Sequence, residues 1–281
     1  MRLAHWRGIK GQDRRGSPFR FEAGNELVSG DADLPRILRM RYGDDLDGLN
    51  RALRAGNDLA QTIPVYISID EALHYWSARP DIVALGKLVI AREILAAEQR
   101  SWLFQLGDEG RFDRATVARS WLWPFFTMAM AAIRREDVGS ALRNVTIINF
   151  NYDRTVEHFI YWGLQQAVVP ADVAAQIVKD LNVIRPYGTV GPLDWHEADG
   201  VAFGGRNSPH SLFAIAERIQ TYTEQHQNTD VEERIDDALE AANLLIFLGF
   251  GFHPQNMDLI TPREGSRRGN IKHVIGTVFG I

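Results

Sequence analysis

The chain has 281 residues, 45% of them hydrophobic, and a formal net charge of -5. That length supports one large domain, or one domain with a helical insertion. The mild acidity argues against a nucleic-acid backbone as the main partner, and the absence of Cys excludes disulfides, a thiol nucleophile and thiolate metal sites.

A cysteine-free composition fits a reducing cytoplasm. No apolar run reaches transmembrane length, and the opening Met-Arg-Leu-Ala-His-Trp-Arg-Gly lacks the apolar core of a secretory signal. No membrane partner is expected. The basic pairs Arg14-Arg15, Arg134-Arg135 and Arg267-Arg268 read as solvated faces.

Residues 1–33 are rich in Gly, Arg and Asp without a clear period, and read as an irregular N-terminal segment. Spaced Leu and Ile over 34–60 suggest one or two short helices. Pro64-Val-Tyr-Ile-Ser68 is a short apolar piece. Ser68 and Glu71 have capping-box spacing, which predicts a helix from about Ile69 to Ser77. Pro80-Asp81 starts another. Ile82, Leu85, Leu88, Val89, Arg92 and Leu95 carry it to about Gln99. Gly107 to Arg111 reads as a loop. Ala115 to Arg135 reads as an aromatic helix packing on the sheet, with Pro124 forcing a kink or a turn.

Val145-Thr-Ile-Ile-Asn-Phe-Asn-Tyr-Asp-Arg154 is the most informative stretch. A β-branched run ends in a polar turn, and Val156, Phe159, Ile160 and Leu164 then repeat at helical spacing. Helices follow over Arg154–Gln166 and Ala171–Leu181. Val183-Ile184 is a short strand running into Arg185-Pro-Tyr-Gly-Thr-Val-Gly-Pro-Leu-Asp-Trp195. Residues 196–207 read as loop. Ser208–Gln225 and Val231–Ala242 read as helices, with Asp230 and Glu233 as a cap pair. Asn243-Leu-Leu-Ile-Phe-Leu-Gly-Phe-Gly251 reads as a buried strand with a glycine-bearing exit, and His273–Phe279 as a last strand.

Strands separated by helices imply an α/β fold: a Rossmann-like parallel sheet with helices on both faces and a helical insertion or subdomain. The division predicted is an irregular segment 1–33, a mainly helical region 34–140 and a core 141–281, the last two forming one structural unit. In such folds ligands bind where strand ends meet helix starts. Asn151 and Asp153 would sit there and could hold an amide, a ribose hydroxyl or a water. The same residue types also suit simple helix capping.

Three segments together resemble the bacterial sirtuin-like NAD-binding family over roughly residues 20–281. Phe150-Asn-Tyr-Asp153 resembles the strand-end signature in which an Asn and an Asp contact the ribose and nicotinamide of NAD. Ile184-Arg-Pro-Tyr-Gly-Thr-Val190 is similar to the segment that usually carries a His-Gly pair. Leu245-Ile-Phe-Leu-Gly-Phe-Gly-Phe252 is similar to the strand whose glycine loop lies near the adenosine half. Ser68–Gln99, with Gly86-Lys87, is similar to the region preceding these motifs.

The resemblance implies NAD as substrate or ligand, with Asn151 and Asp153 catalytic. It implies cofactor contacts from Phe150, Tyr152, Arg185, Tyr187, Gly188, Gly249, Phe250 and Gly251. Members of this group are NAD-cleaving effectors of anti-phage defence, so a homo-oligomer or a defence-system partner protein is implied. The deacylase relatives use a zinc ribbon, which a chain without Cys cannot form. The family's N-terminal phosphate loop has no match here. Gly8, Gly11 and Gly16 are spaced through charges, and Ala23-Gly24-Asn25 lacks a preceding apolar strand. This end reads as truncated, mis-started or degenerate. Tyr187 stands before Gly188 where the family has His, the natural base near neutral pH.

Three readings follow: an NAD hydrolase, a catalytically inactive nucleotide-sensing or protein-interaction module, or a truncated remnant whose sheet lacks its first strand. Other candidates are weaker. His196-Glu197, His210, His226, His253 and His273 make no metal spacing, and no metal is expected. His253 reads as a helix start, Asp44-Asp45-Asp47 as a solvated turn. Ser29 and Ser68 have no nucleophile-elbow context.

Overall fold

A computed structural model describes residues 19–21, 27–30, 33–66, 68–104, 113–205, 209–225, 229–261, 271 and 273–277. The chain divides into two compact units. One comprises Met1–Arg92, Asn207–Asn228 and Val278–Ile281, the other Glu93–Arg206 and Thr229–Thr277. The fold is mixed α/β and helix-rich.

In the first unit, β1 (Phe19–Phe21) and β2 (Leu27–Gly30) pair antiparallel, within the segment expected to be irregular. Helices α1 (Asp33–Tyr42) and α2 (Leu46–Thr62) follow. Asp45 caps α2, accepting from Gly48 N at 2.8 Å, so the acidic turn is a helix start. The apolar piece after it is a short 3-10 turn, Ile63–Val65. Ser68 Oγ accepts from Glu71 N at 3.2 Å and begins α3 (Ile69–Tyr75) as its spacing predicts. Helix α4 (Pro80–Arg100) spans the division between the units. The short helices α9 (Pro209–Glu217) and α10 (Tyr222–Gln225) belong to the first unit; the expected single helix 208–225 is broken between them.

In the second unit the aromatic stretch is two helices, α5 (Arg114–Val117) and α6 (Leu122–Met130). Pro124 lies in the first turn of α6, where its missing N–H costs nothing. Phe126 packs on Phe159 of α7 (Thr155–Gln166) with ring centres 5.9 Å apart, so this aromatic helix packs on a helix. Strand β3 (Thr146–Ile148) pairs parallel with β4 (Asn182–Ile184), and α7 and α8 (Ala171–Lys179) connect them. Helix α11 (Thr229–Ala241) takes in Asp230, which therefore sits inside its first turn. Strand β5 (Leu244–Phe247) pairs parallel with β6 (His273–Gly276), with α12 (Pro254–Ile260) between.

The parallel pairing agrees with the βα alternation. Among the described residues the strands form three separate two-stranded sheets. Strand β5 is half-exposed along its length, with Leu244 46% exposed, where its apolar run predicts full burial. Among the described residues its one neighbour in the sheet is β6.

One buried ion pair organises the second unit. Arg154 and Glu98 side chains are 2% and 1% exposed. Glu98 Oε1 accepts from Arg154 Nε and from the Arg154 backbone N–H, each at 3.0 Å. The guanidinium also donates to the carbonyls of Pro192, Val201 and Ala202. Gly204 N donates to Glu98 Oε2 at 2.9 Å. Gly204 has φ +61°, and a Cβ there would lie 2.6 Å from Gln99 N, so only glycine suits this approach. Removing one partner of a buried pair strands the other charge. Arg154→Met is expected to lose about 3–5 kcal/mol of stability in urea denaturation; a loss below about 1 kcal/mol would contradict this account.

Candidate functional site

The turn after β3 is built by two residues that face inward and two that do not. The ladder continues one step past the strand, with Asn149 N donating to Ile184 O at 2.8 Å. Asn149 is buried, and its Oδ1 accepts from Asn151 N at 2.9 Å. Tyr152 is buried, and its carbonyl accepts from Thr189 Oγ1 at 3.0 Å. Asn151 is exposed at the apex. Asp153, one residue before the N-cap Arg154, accepts from Thr155 N at 3.0 Å through Oδ1 in a local turn at the start of α7. This local bond and a ligand role coexist, because it engages one of the two carboxylate oxygens.

Arg185 clamps this turn from β4. Its Nη1 donates to the carbonyls of Asn151 and Asp153, both at 3.0 Å, and its Nη2 pairs with Glu157 Oε1 at 2.5 Å. The two side chains are 11% and 12% exposed. This guanidinium is committed to holding the backbone; reaching a phosphate would require breaking these bonds. Arg185 is therefore a positioning residue in this arrangement.

The other predicted residues gather around the same turn. The Phe150 ring lies 5.3 Å from Phe250 and 6.3 Å from Tyr187, centre to centre. Tyr152 and Tyr187 are 6.3 Å apart. Tyr187 Oη donates to Asn256 Oδ1 at 2.9 Å, which joins the turn after β4 to α12. Gly188 has φ +74°, and Gly249 has φ +62° with nothing within 4 Å of where a Cβ would stand. Gly251 is likewise open. Phe252 adopts φ +50°, a left-handed conformation that bulky residues rarely take. The structure thus brings the three segments together through Phe150, Tyr187 and Phe250, with the two glycines of the β5 exit on its open side.

The candidates set aside earlier stay apart from this turn. His253 precedes α12 as its cap residue, and His196 stacks on Trp195. Among the described residues no group of three or more His, Asp or Glu could hold a metal. No described helix is long and apolar enough to cross a membrane. Gly8, Gly11, Gly16, Ala23-Gly24-Asn25, the Gly107–Arg111 loop, His226 and Phe279 lie outside the described residues.

Sequence reasoning missed Arg154, Glu98, Glu157 and His158. The signal for Glu98 was present: it falls three residues after Leu95 on the apolar stripe of α4. Compared with known proteins, the chain matches no family model, no curated protein and no solved structure.

His158, on α7 directly after Glu157, is 8% exposed and stacked on Phe203. Burial pushes its imidazole down to about 3, with the nearby Arg154 charge adding to this and a Leu103 backbone hydrogen bond opposing it. The unfolded chain takes up a proton here near pH ~6.5, whereas the folded chain does so only near the lower value. Stability should therefore fall as pH drops below about 6.5, by up to about 1.4 kcal/mol per pH unit. His158→Phe should flatten that acid limb in thermal melts from pH 7 to 4.5; an unchanged slope would contradict the burial of a neutral imidazole.

Proposed function

We propose that the chain is a Rossmann-like, sirtuin-like NAD-binding protein whose turn after β3 hydrolyses the nicotinamide–ribose bond. The observation that carries this is the convergence of Phe150, beside Asn151, with Tyr187 and Phe250, each following a strand of a parallel pair. Strand ends of this kind are where open α/β sheets bind nucleotides. The residues suit the non-phosphate half of such a ligand: an exposed amide, a carboxylate with an oxygen to spare, and aromatic rings.

In this reading Asn151 places a water against the ribose carbon that bears nicotinamide. The water oxygen bonds to that carbon as the C–N bond breaks, and the electron pair leaves on the nicotinamide nitrogen. Asp153 stabilises the positive charge that builds on the ribose. The products are ADP-ribose, nicotinamide and a proton released to solvent. Arg185 and Glu157 hold the turn that carries both groups. An effector role in bacterial anti-phage defence, in the cytoplasm and as a homo-oligomer or with a partner protein, rests on the resemblance of the three motifs.

A second reading, a nucleotide-sensing module without turnover, is favoured by one set of contacts. Asp153 already accepts from Thr155 N, Tyr187 is bonded to Asn256, and Arg185 is paired with Glu157. The test is NAD turnover by the purified chain beside Asn151→Ala, with calorimetric NAD binding on the same samples. The hydrolase reading expects nicotinamide release by wild type and a loss of at least about 100-fold in the variant, with its far-UV spectrum unchanged. Equal turnover by both removes Asn151 from the mechanism. Binding without turnover selects the sensing module, and neither binding nor turnover overturns both readings.

A further inference from the structure

Further along α7, a separate cleft of about 450 Å3 opens between this helix and the 194–203 segment. Its lining includes His158, Tyr161, Trp162, Asp194, Trp195 and Phe203, and shares no residue with the Asn151–Asp153 turn. Two stacks of flat rings build the walls. His158 lies on Phe203 at 4.0 Å with planes 6° apart, and Tyr161 lies on Trp195 at 3.9 Å and 9°. Trp162 stands nearly edge-on to both His158 and Tyr161.

Among the described residues, three buried polar atoms in these walls have no hydrogen-bond partner: His158 Nδ1, Trp162 Nε1 and Trp195 Nε1. Buried polar groups are almost always paired, so three orphans in one cleft call for a partner. The two indoles can only donate. The imidazole is neutral, so with the proton on Nε2 it presents the unpaired Nδ1 as an acceptor. The cleft therefore offers two donors and one acceptor beside flat aromatic walls. Asp194, exposed at the rim, would repel an anion.

We propose that this cleft binds an uncharged flat heteroaromatic ring with an amide-type edge, the chemistry of a free nucleobase or nucleoside. The ring's C=O accepts from the indoles, and its N–H donates to His158 Nδ1. A phosphorylated nucleotide is disfavoured by Asp194. The three nitrogens are shielded from water, so an inserting ring must turn the indoles, and tryptophan emission reports that movement.

The test is a tryptophan-fluorescence titration of the full chain with uracil and with hypoxanthine, repeated by calorimetry. Saturable binding of at least one base is expected. Dihydrouracil, with the same edge on a puckered ring, and dimethyluracil, flat but with both ring N–H groups methylated, should each bind about tenfold or more weakly. Trp195→Phe keeps a ring and removes one donor, and His158→Phe removes the acceptor. Each should weaken binding by about tenfold, with far-UV spectra showing which variant is folded. Asn151→Ala should leave base binding unchanged, which separates this cleft from the proposed NAD site. Failure of both bases to saturate overturns the proposal. So does equal binding of dihydrouracil, equal binding by the folded variants, or loss of binding in Asn151→Ala.

Discussion

The pairing of Glu98 with Arg154 fixes the geometry on which the second unit depends. One carboxylate, at the end of a long helix, reads both the side chain and the backbone N–H of the residue that starts α7. The same guanidinium gathers three carbonyls from the 192–202 segment. A buried pair of this kind contributes little net stability compared with apolar packing. What it supplies is position, because each of its bonds is directional and none can be shifted without stranding a charge. The turn after β3 is consequently pinned at its C-terminal end by Arg154 and from the side by Arg185.

Those two arginines divide the work. Arg154 is enclosed and satisfied by Glu98 and main-chain carbonyls, so it sets where α7 begins. Arg185 lies nearer the surface and binds the carbonyls of the two residues that flank Tyr152. The main chain is thus held from both sides of Tyr152, with Asn151 exposed beside it. Preorganisation of this sort lets a small polar constellation act without first being ordered. The aromatic contacts of Phe150 and Tyr187 then tie the apex to the β5 exit, so residues a hundred positions apart share one locality.

Much of this was legible locally. The β-branched run of 145–150, the turn and the helical period after it predict β3, its polar end and α7, with the strand shorter than its apolar run. Ser68 caps α3 because its Oγ accepts from the backbone N–H three residues on. The long-range pairs were not legible, because hydrophobic period reports which face is buried and says nothing of what lies against it. Glu98 on an apolar stripe was a visible anomaly, yet its partner sits 56 residues away. The burial of β5 was misread for the same reason: an apolar run records affinity for a core, and the neighbours that provide one are a tertiary matter. Phe150, Tyr187 and Phe250 come together after their strands, while Arg185 is engaged with the backbone of the turn and with Glu157, in the first turn of α7.

The central claim is that the segments around Asn151, Gly188 and Gly249 form one nucleotide site. Backbone amide chemical-shift mapping with NAD added to the isotopically labelled chain tests it most directly. The account predicts coincident, saturable shifts at Asn151, Asp153, Gly188, Gly249 and Gly251, following one binding curve. Shifts confined to a single segment, or none in any of the three, would contradict it.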